Sequence, residues 1–326
     1  MGTFSYGITS SIALAAFIPV FALAQNAGNY PSKPVRVVSV LGSGGAVDSA
    51  GRMVSAKLSE NFQTQFFVDI RSGAGGTIGY TYAAKAAPDG YTLLVAGSGY
   101  TIVPALYAVQ YDPLKDLVPI GQINQTTYLL ATHPSLPVKS VKDLVALAKS
   151  KPGAINYASG GVGSSIHFAM ELFAISAGGI KFNHIAYSKG TGQAQIELLS
   201  GEIQSMMTNL ISSLSYVKSG RLRGLGISSS HRSALLPEIP TIAEAGVPGY
   251  SRTGWIGFFA PSATPPEILK KLSTEIALIA KDPVITKRIL ESGGEPPDSL
   301  EQFRLVVKNE LEANRKIAAQ ANIKIN

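Results

Sequence analysis

Three stretches of the chain carry backbone and hydroxyl donors in patterns that suit holding an anion. The first is Leu41-Gly42-Ser43-Gly44-Gly45-Ala46, where three glycines leave N–H groups free of side-chain cover. The second, Ser159-Gly160-Gly161-Val162-Gly163-Ser164-Ser165, adds hydroxyls that donate to a carboxylate without any charged side chain. The third is Ser98-Gly99-Tyr100. Several charge-assisted hydrogen bonds, at roughly 1.5–3 kcal/mol each, replace much of the hydration a carboxylate loses on burial. Thr208-Asn209 and Tyr187 add polar groups at expected strand ends. Tyr187 reads equally as a cleft hydroxyl or as a core aromatic.

A catalytic reading finds less support in the same residues. Val47 stands where a dinucleotide fingerprint needs its third glycine, and no Gly-Lys-Ser/Thr follows to make a phosphate loop. No serine sits at the centre of a Gly-x-Ser-x-Gly elbow, and no His-Glu-x-x-His is present. The chain has no cysteine, which removes disulfides, thiolate catalysis and cysteine-ligated metals together. His133, His184 and His231 have no ligand spacing. His167 falls in the first turn of an expected helix with no visible acid partner. A hydrolase using Ser164 or Ser165 with His167 is the alternative reading, and it lacks the orienting acid such a set requires. Asp48, behind the first loop, reads as a cap for its own helix, because a carboxylate facing the ligand would repel it.

The loops must be positioned by strands and helices, and the pattern supplies both. Val35, Val37, Val38 and Val40 read as a buried strand of a parallel sheet, and Met53, Val54 and Leu58 follow the first loop at helical spacing. The unit of strand, bare loop and helix recurs at Ile155–Phe173. A helix start places free N–H groups and the positive end of the helix dipole on one spot. Gln65–Ile70 and Tyr91–Val95 read as further strands, with an Ala-rich helix through Ala87 between them. Strands alternating with helices imply right-handed βαβ units, with the pocket at the carboxyl ends of the strands. Capping-box spacing occurs at Thr241/Glu244, Thr264/Glu267 and Ser299/Gln302. Ile268, Leu272, Ile276 and Ile279 form one apolar helix face, and Phe303, Val307 and Leu311 another. Trp255, the only tryptophan, reads first as structural and second as a cleft wall. Two crossovers, near Thr126–Tyr128 and Ser251–Gly254, are expected to divide the chain into two α/β lobes.

The 326 residues suffice for two domains, and 45% apolar against 15% charged residues indicates a globular chain. The net charge of +7 is spread along the chain, which argues against nucleic acid and suits equally an anionic solute or surface lysines that merely aid solubility. Ile8–Ala24 is apolar and ends in Ala22-Leu23-Ala24, the small-x-small pattern of a signal-peptidase site, so residues 1–24 read as a cleaved export signal. The segment before it holds no Lys or Arg.

Seven segments, YPSKPVRVV, AAPDGYTLL, YDPLKDLVPIG, NYASGGVGSSIHF, LLSGEIQSMMTN, LPEIPTIAEAGVPGY and GFFAPSATPP, resemble in order and spacing the Bug family. These are extracytoplasmic solute receptors of tripartite tricarboxylate transporters. The resemblance covers nearly all of the mature chain. It implies an α/β periplasmic-binding-protein type II (Venus-flytrap) fold with two doubly wound lobes joined by two crossovers. The first lobe would span residues 25–127 plus 253–326 and the second 128–252. It implies a periplasmic monomer, not an enzyme, with no cofactor or metal. Such a receptor hands a small carboxylate (a di- or tricarboxylate, an acidic amino acid or an aromatic acid) to membrane permease subunits. Signalling to a sensor kinase is the alternative destination. The resemblance also implies that backbone groups, hydroxyls and bridging water hold the ligand, and not an arginine. Three departures touch the pocket. Val40-Leu41 replaces a proline-aromatic pair, Thr208-Asn209 replaces a common aspartate-asparagine pair, and Tyr187-Ser188-Lys189-Gly190 is one residue longer than the family's turn.

Overall fold

The computed structural model describes residue 2 and residues 29–40, 42–187, 190–292 and 294–325. The expected export signal and Leu41, Ser188 and Lys189 lie outside the described residues. The chain opens with β1 (Val35–Ser39), α1 (Ala46–Phe62), β2 (Phe66–Ile70), α2 (Thr77–Ala84), β3 (Thr92–Gly97) and α3 (Gly99–Leu106). The long strand β4 (Leu117–Thr132) follows, then α4 (Val141–Ser150), β5 (Asn156–Ser159), α5 (Ser165–Ser176), β6 (Asn183–Ala186) and α6 (Thr191–Ser200). β7 (Ser205–Asn209), α7 (Leu210–Lys218), β8 (Arg223–Ile227), β9 (Thr253–Pro261), α8 (Pro266–Lys281), α9 (Pro283–Glu291) and α10 (Leu300–Gln320) complete it.

The strands run in the order β2-β1-β3-β9-β4-β7-β5-β6, with β8 also paired to β4. β1 is parallel to β2 and β3, and β5 is parallel to β6 and β7, as the βαβ pattern requires. β4 and β9 run antiparallel to their neighbours, so the sheet is mixed where alternation alone predicts a parallel one. The exchange of partners occurs within β4. Its first part pairs with β9 as far as Thr127, and from Tyr128 onward it pairs with β7. The cores divide at the same place. One apolar cluster draws only on residues 128–250, and two others draw on residues 30–123 and 255–311. A small fourth cluster, Ile102, Phe168, Ile317 and Ala318, ties α3 and α10 to α5.

Both apolar helix faces expected in α8 and α10 are buried. Two expected capping boxes form differently from their spacing. Thr241 and Glu244 close a complete box, each accepting from the other's N–H, yet the segment is a turn and not a helix. Thr264 does not cap α8: Pro265 takes that position, and the Thr264 hydroxyl is buried without a hydrogen-bond partner among the described residues. Ser299 caps α10 through the Gln302 N–H. No helix among the described residues is long and apolar enough to cross a membrane.

Candidate functional site: helix starts meeting across the fold

Five helices, α1, α3, α5, α6 and α7, begin directly beyond the carboxyl ends of β1, β3, β5, β6 and β7. Each therefore aims its first turn toward the strand ends, with Ser164 capping α5 and Asn209 capping α7. α1, α3 and α6 have no side-chain cap at Gly45, Ser98 and Gly190. Two pairs of these starts meet. Ser98, at the start of α3, lies 3.3 Å from the Ser165 hydroxyl at the start of α5. The α1 and α7 starts line one cavity of about 420 Å3, through Gly44, Ala46 and Ser49 on one side and Asn209 on the other. Asn124 and Thr126 of β4 and Arg288 of α9 complete its polar wall, and Met53, Ile123, Ile256 and Ile289 supply apolar surface. Among the described residues lining it, Arg288 is the only charged one. A larger depression of about 640 Å3 beside Tyr82 and Lys85 holds none of the strand-end loops.

The loops hold fewer free donors than their glycines suggest. In the first, the Gly44 N–H donates to Asp48 Oδ2 at 2.9 Å, and Arg52 Nε donates to the same carboxylate at 3.1 Å. Asp48 thus ties down the loop before the helix and, contrary to what its position suggests, does not cap the first-turn N–H groups of α1. The Gly44 bond, then Arg52, holds its carboxyl below the usual range. In the second loop the Gly161 N–H goes to the Ser159 hydroxyl, the Gly163 N–H to His167 Nδ1, and the Ser164 N–H to the Gly161 carbonyl. The Ser164 hydroxyl accepts from the His167 N–H and caps α5. His167 Nδ1 is engaged with backbone and Nε2 faces Glu171 Oε1 at 3.9 Å, an acid the sequence did not show, so no Ser164–His167 or Ser165–His167 dyad forms among the described residues. Gly160 is needed for packing, since a Cβ there would stand 2.9 Å from Thr191 at the start of α6. A Cβ on Gly163 would stand 2.9 Å from Leu106 of α3.

Three expected contact side chains are removed by burial. The Tyr100 ring is fully buried among Tyr80, Tyr111 and Phe259, and its hydroxyl donates to the Pro113 carbonyl at 2.6 Å. The Thr208 hydroxyl pairs with Ser213 at 2.7 Å inside the fold. The Ser159 hydroxyl sits 2.7 Å from His184 Nε2 and serves its own loop. Their chemistry is satisfied locally, which residue type alone does not reveal. Asn209 faces the cavity, but its Oδ1 accepts from the Ile211 and Ser212 N–H groups and caps α7, which leaves its Nδ2 for a ligand. Gly42, Ser43, Gly45 and Gly99 lie in the uncapped starts of α1 and α3. The partly buried Tyr187 packs on the second core, and burial followed by Glu197 and Glu202 raises the pKa of its hydroxyl.

Sequence reasoning missed the groups beneath these loops. The Tyr128 hydroxyl lies over Gly254, where any Cβ would collide with it. Burial pushes its pKa up to about 12 against the pull of Arg252, Ser165 and Ser98. Arg252 and Glu310 face each other at 3.6 Å, and Glu310 Oε2 also accepts from Trp255 Nε1 and the Thr101 hydroxyl. These residues sit where the chain crosses between its two cores, and no local spacing marks them. His167 stacks on His184 at 4.0 Å between ring centres. Burial, with His184 beside it, lowers the His167 pKa to about 3, and burial lowers that of His184 to about 4. No group of three His, Cys, Asp or Glu among the described residues is placed to hold a metal.

Two cores that share the strand β4, with helix starts meeting between them, define the two-lobed α/β fold of periplasmic solute-binding proteins. A TctC solute-binding protein from Polaromonas shares it at TM-score 0.79 over 89% of this chain and 99% of that one, with 23% identity. The family model described as "Tripartite tricarboxylate transporter family receptor" matches residues 50–323, and the chain belongs to that family, TctC. It is 33% identical to "Protein BugT" of Bordetella pertussis, over 85% of this chain and 87% of that protein. It is 35% identical to a UPF0065 protein of Pseudomonas sp. over 90% and 91%. Among solved structures it is similar to "R. palustris Rpa4515 with adipate", at 34% identity and TM-score 0.72 over 90% and 99%. It is also similar to MatC from Rhodopseudomonas palustris with bound malate, at 26% identity and TM-score 0.71 over 88% and 99%.

Proposed function

We propose that this receptor captures a small carboxylate between residues 25–127 plus 253–326 on one side and 128–252 on the other. The observation that carries the reading is the cavity shared by the α1 and α7 starts. It offers the uncapped start of α1, the Asn209 Nδ2 amide and Arg288, with no carboxylate among its described lining residues. Its volume of about 420 Å3 suits a ligand of a few carbons with acidic ends. Adipate and malate in the two solved relatives support an acid of this kind. The Gly42–Ala46 start, Ser98, Ser165 and Asn209 grip it, and the two halves rotate shut. The protein acts as a periplasmic monomer after removal of residues 1–24. It passes its cargo to the permease subunits of a tripartite transporter and performs no chemistry on it.

A thermal-shift panel of carboxylates, sugars and cations tests the reading. A bound acid at about a hundred times its Kd stabilises the fold by roughly 2.7 kcal/mol. A shift with di- or tricarboxylates and none with sugars is expected; a shift confined to sugars or cations would overturn the ligand class.

A further inference from the structure

Arg252 is 96% buried (4% exposed), and its guanidinium is only half used. Nη1 faces Glu310 Oε1 at 3.6 Å, too long for a strong hydrogen bond. Nε and Nη2 are both inaccessible and have no hydrogen-bond partner among the described residues. These two nitrogens are neighbours on the planar fork. Together they form the side-on edge whose parallel N–H groups match the two oxygens of a carboxylate. A buried charge with an entire donor edge unmet is costly and calls for a partner, whether water or a bound group.

The surroundings point to the same partner. The Arg252 N–H donates to Ser228, which in turn holds the Tyr128 backbone, so Arg252 sits beside the residue at which β4 changes partners. The Tyr128 hydroxyl feels Arg252 and the hydroxyls of Ser98 and Ser165. Ser98 and Ser165 stand at the starts of α3 and α5 and bond to each other. Glu310 does not compete for the free edge, because Oε2 accepts from Trp255 at 3.0 Å and from Thr101 at 2.8 Å.

We infer that Arg252 is an anchoring residue of the receptor's ligand site: its Nε–Nη2 edge receives one carboxylate of the cargo, bidentately, when the Ser98–Ser165 contact opens. The inference rests on the carboxylate-receptor reading and sharpens it. The cargo then has at least two acidic groups, one at the arginine and one at the α1 start. This assignment departs from the expectation that no arginine holds the ligand.

The test is calorimetric titration of succinate, adipate and malate into the whole protein and three variants, with melting temperatures measured alongside. Arg252→Gln removes the edge. Arg252→Lys keeps a charge for Glu310 but not the fork. Arg252→Gln/Glu310→Gln removes both charges, so that an unpaired Glu310 does not confound folding. For an acid that binds the parent, affinity is expected to fall about 10-fold in Arg252→Lys and about 100-fold or more in the two Gln variants. Matched monocarboxylates should lose far less of their weaker binding. A folded double variant that binds the diacid as tightly as the parent overturns the assignment, and water then fills the edge. A parent protein that binds none of the carboxylate panel overturns the receptor reading itself, and the assignment with it.

Discussion

Asp48 and the stacked histidines show how single side chains maintain the loops that a ligand meets. Asp48 accepts from the Gly44 N–H and from Arg52, and both favour its ionised form. A carboxyl held below its usual pKa stabilises the fold above that value and stops doing so as pH falls through the lowered one. Asp48→Ala should therefore cost about 1–2 kcal/mol at pH 7 in urea unfolding, with the gap to the parent closing in strong acid. His167 and His184 act with the opposite charge and a different window. Each stays neutral when folded and takes a proton once unfolded near the ordinary value of 6.5. Stability is then level above that value and falls below it, until the folded rings themselves titrate at about 4 and about 3. The pair should steepen the acid loss by up to about 2.7 kcal/mol per pH unit, and His184→Gln should remove about half of that slope. A denaturation midpoint unchanged from neutral pH to pH 5 would contradict this account of the stack.

At the scale of elements, glycines separate packing demands from mere loop composition. Gly257 in β9 is overlain by the Phe303 ring of α10, and a Cβ there has no room. Gly257→Ala should destabilise the protein by about 1–3 kcal/mol through overpacking. Gly192, in the first turn of α6, meets nothing within 4 Å among the described residues, so Gly192→Ala should stabilise it by roughly 0.5–1 kcal/mol. Opposite signs in chemical denaturation check both. The same contrast explains what could be read in advance. The valine run of β1, the helical spacing of α8 and α10 and the glycine loops between strand and helix are local patterns, and they form where expected. The antiparallel setting of β4 and β9 depends on partners far apart in sequence. So do the burial of Tyr100 under Phe259 and the capture of the Gly161 and Gly163 N–H groups by Ser159 and His167. No periodicity encodes those meetings. Arg252 escaped notice for the same reason, since its unpaired edge exists only once Glu310, Tyr128 and Ser228 surround it.

Across the whole molecule, the central question is whether two bodies with separate cores move as one or against each other. β4 is the strand they share, and a small cluster around Ile102, Phe168, Ile317 and Ala318 ties α5 to α3 and α10. Ser98 and Ser165, 3.3 Å apart, report directly on that junction. The chain has no cysteine of its own, so a Ser98→Cys/Ser165→Cys variant carries one possible disulfide. Side-chain oxygens this close are compatible with the Cβ separation of about 3.5–4.5 Å that a disulfide needs. Oxidation should therefore join the pair nearly completely, read as a loss of free thiol and of two mass units. If the cargo enters between the two bodies, the oxidised form should neither take up nor release it, and reduction should restore exchange. Full exchange in a quantitatively cross-linked protein would mean that the ligand reaches its site without the two bodies parting. The helix starts would then form a fixed cup, and closure would have no part in capture.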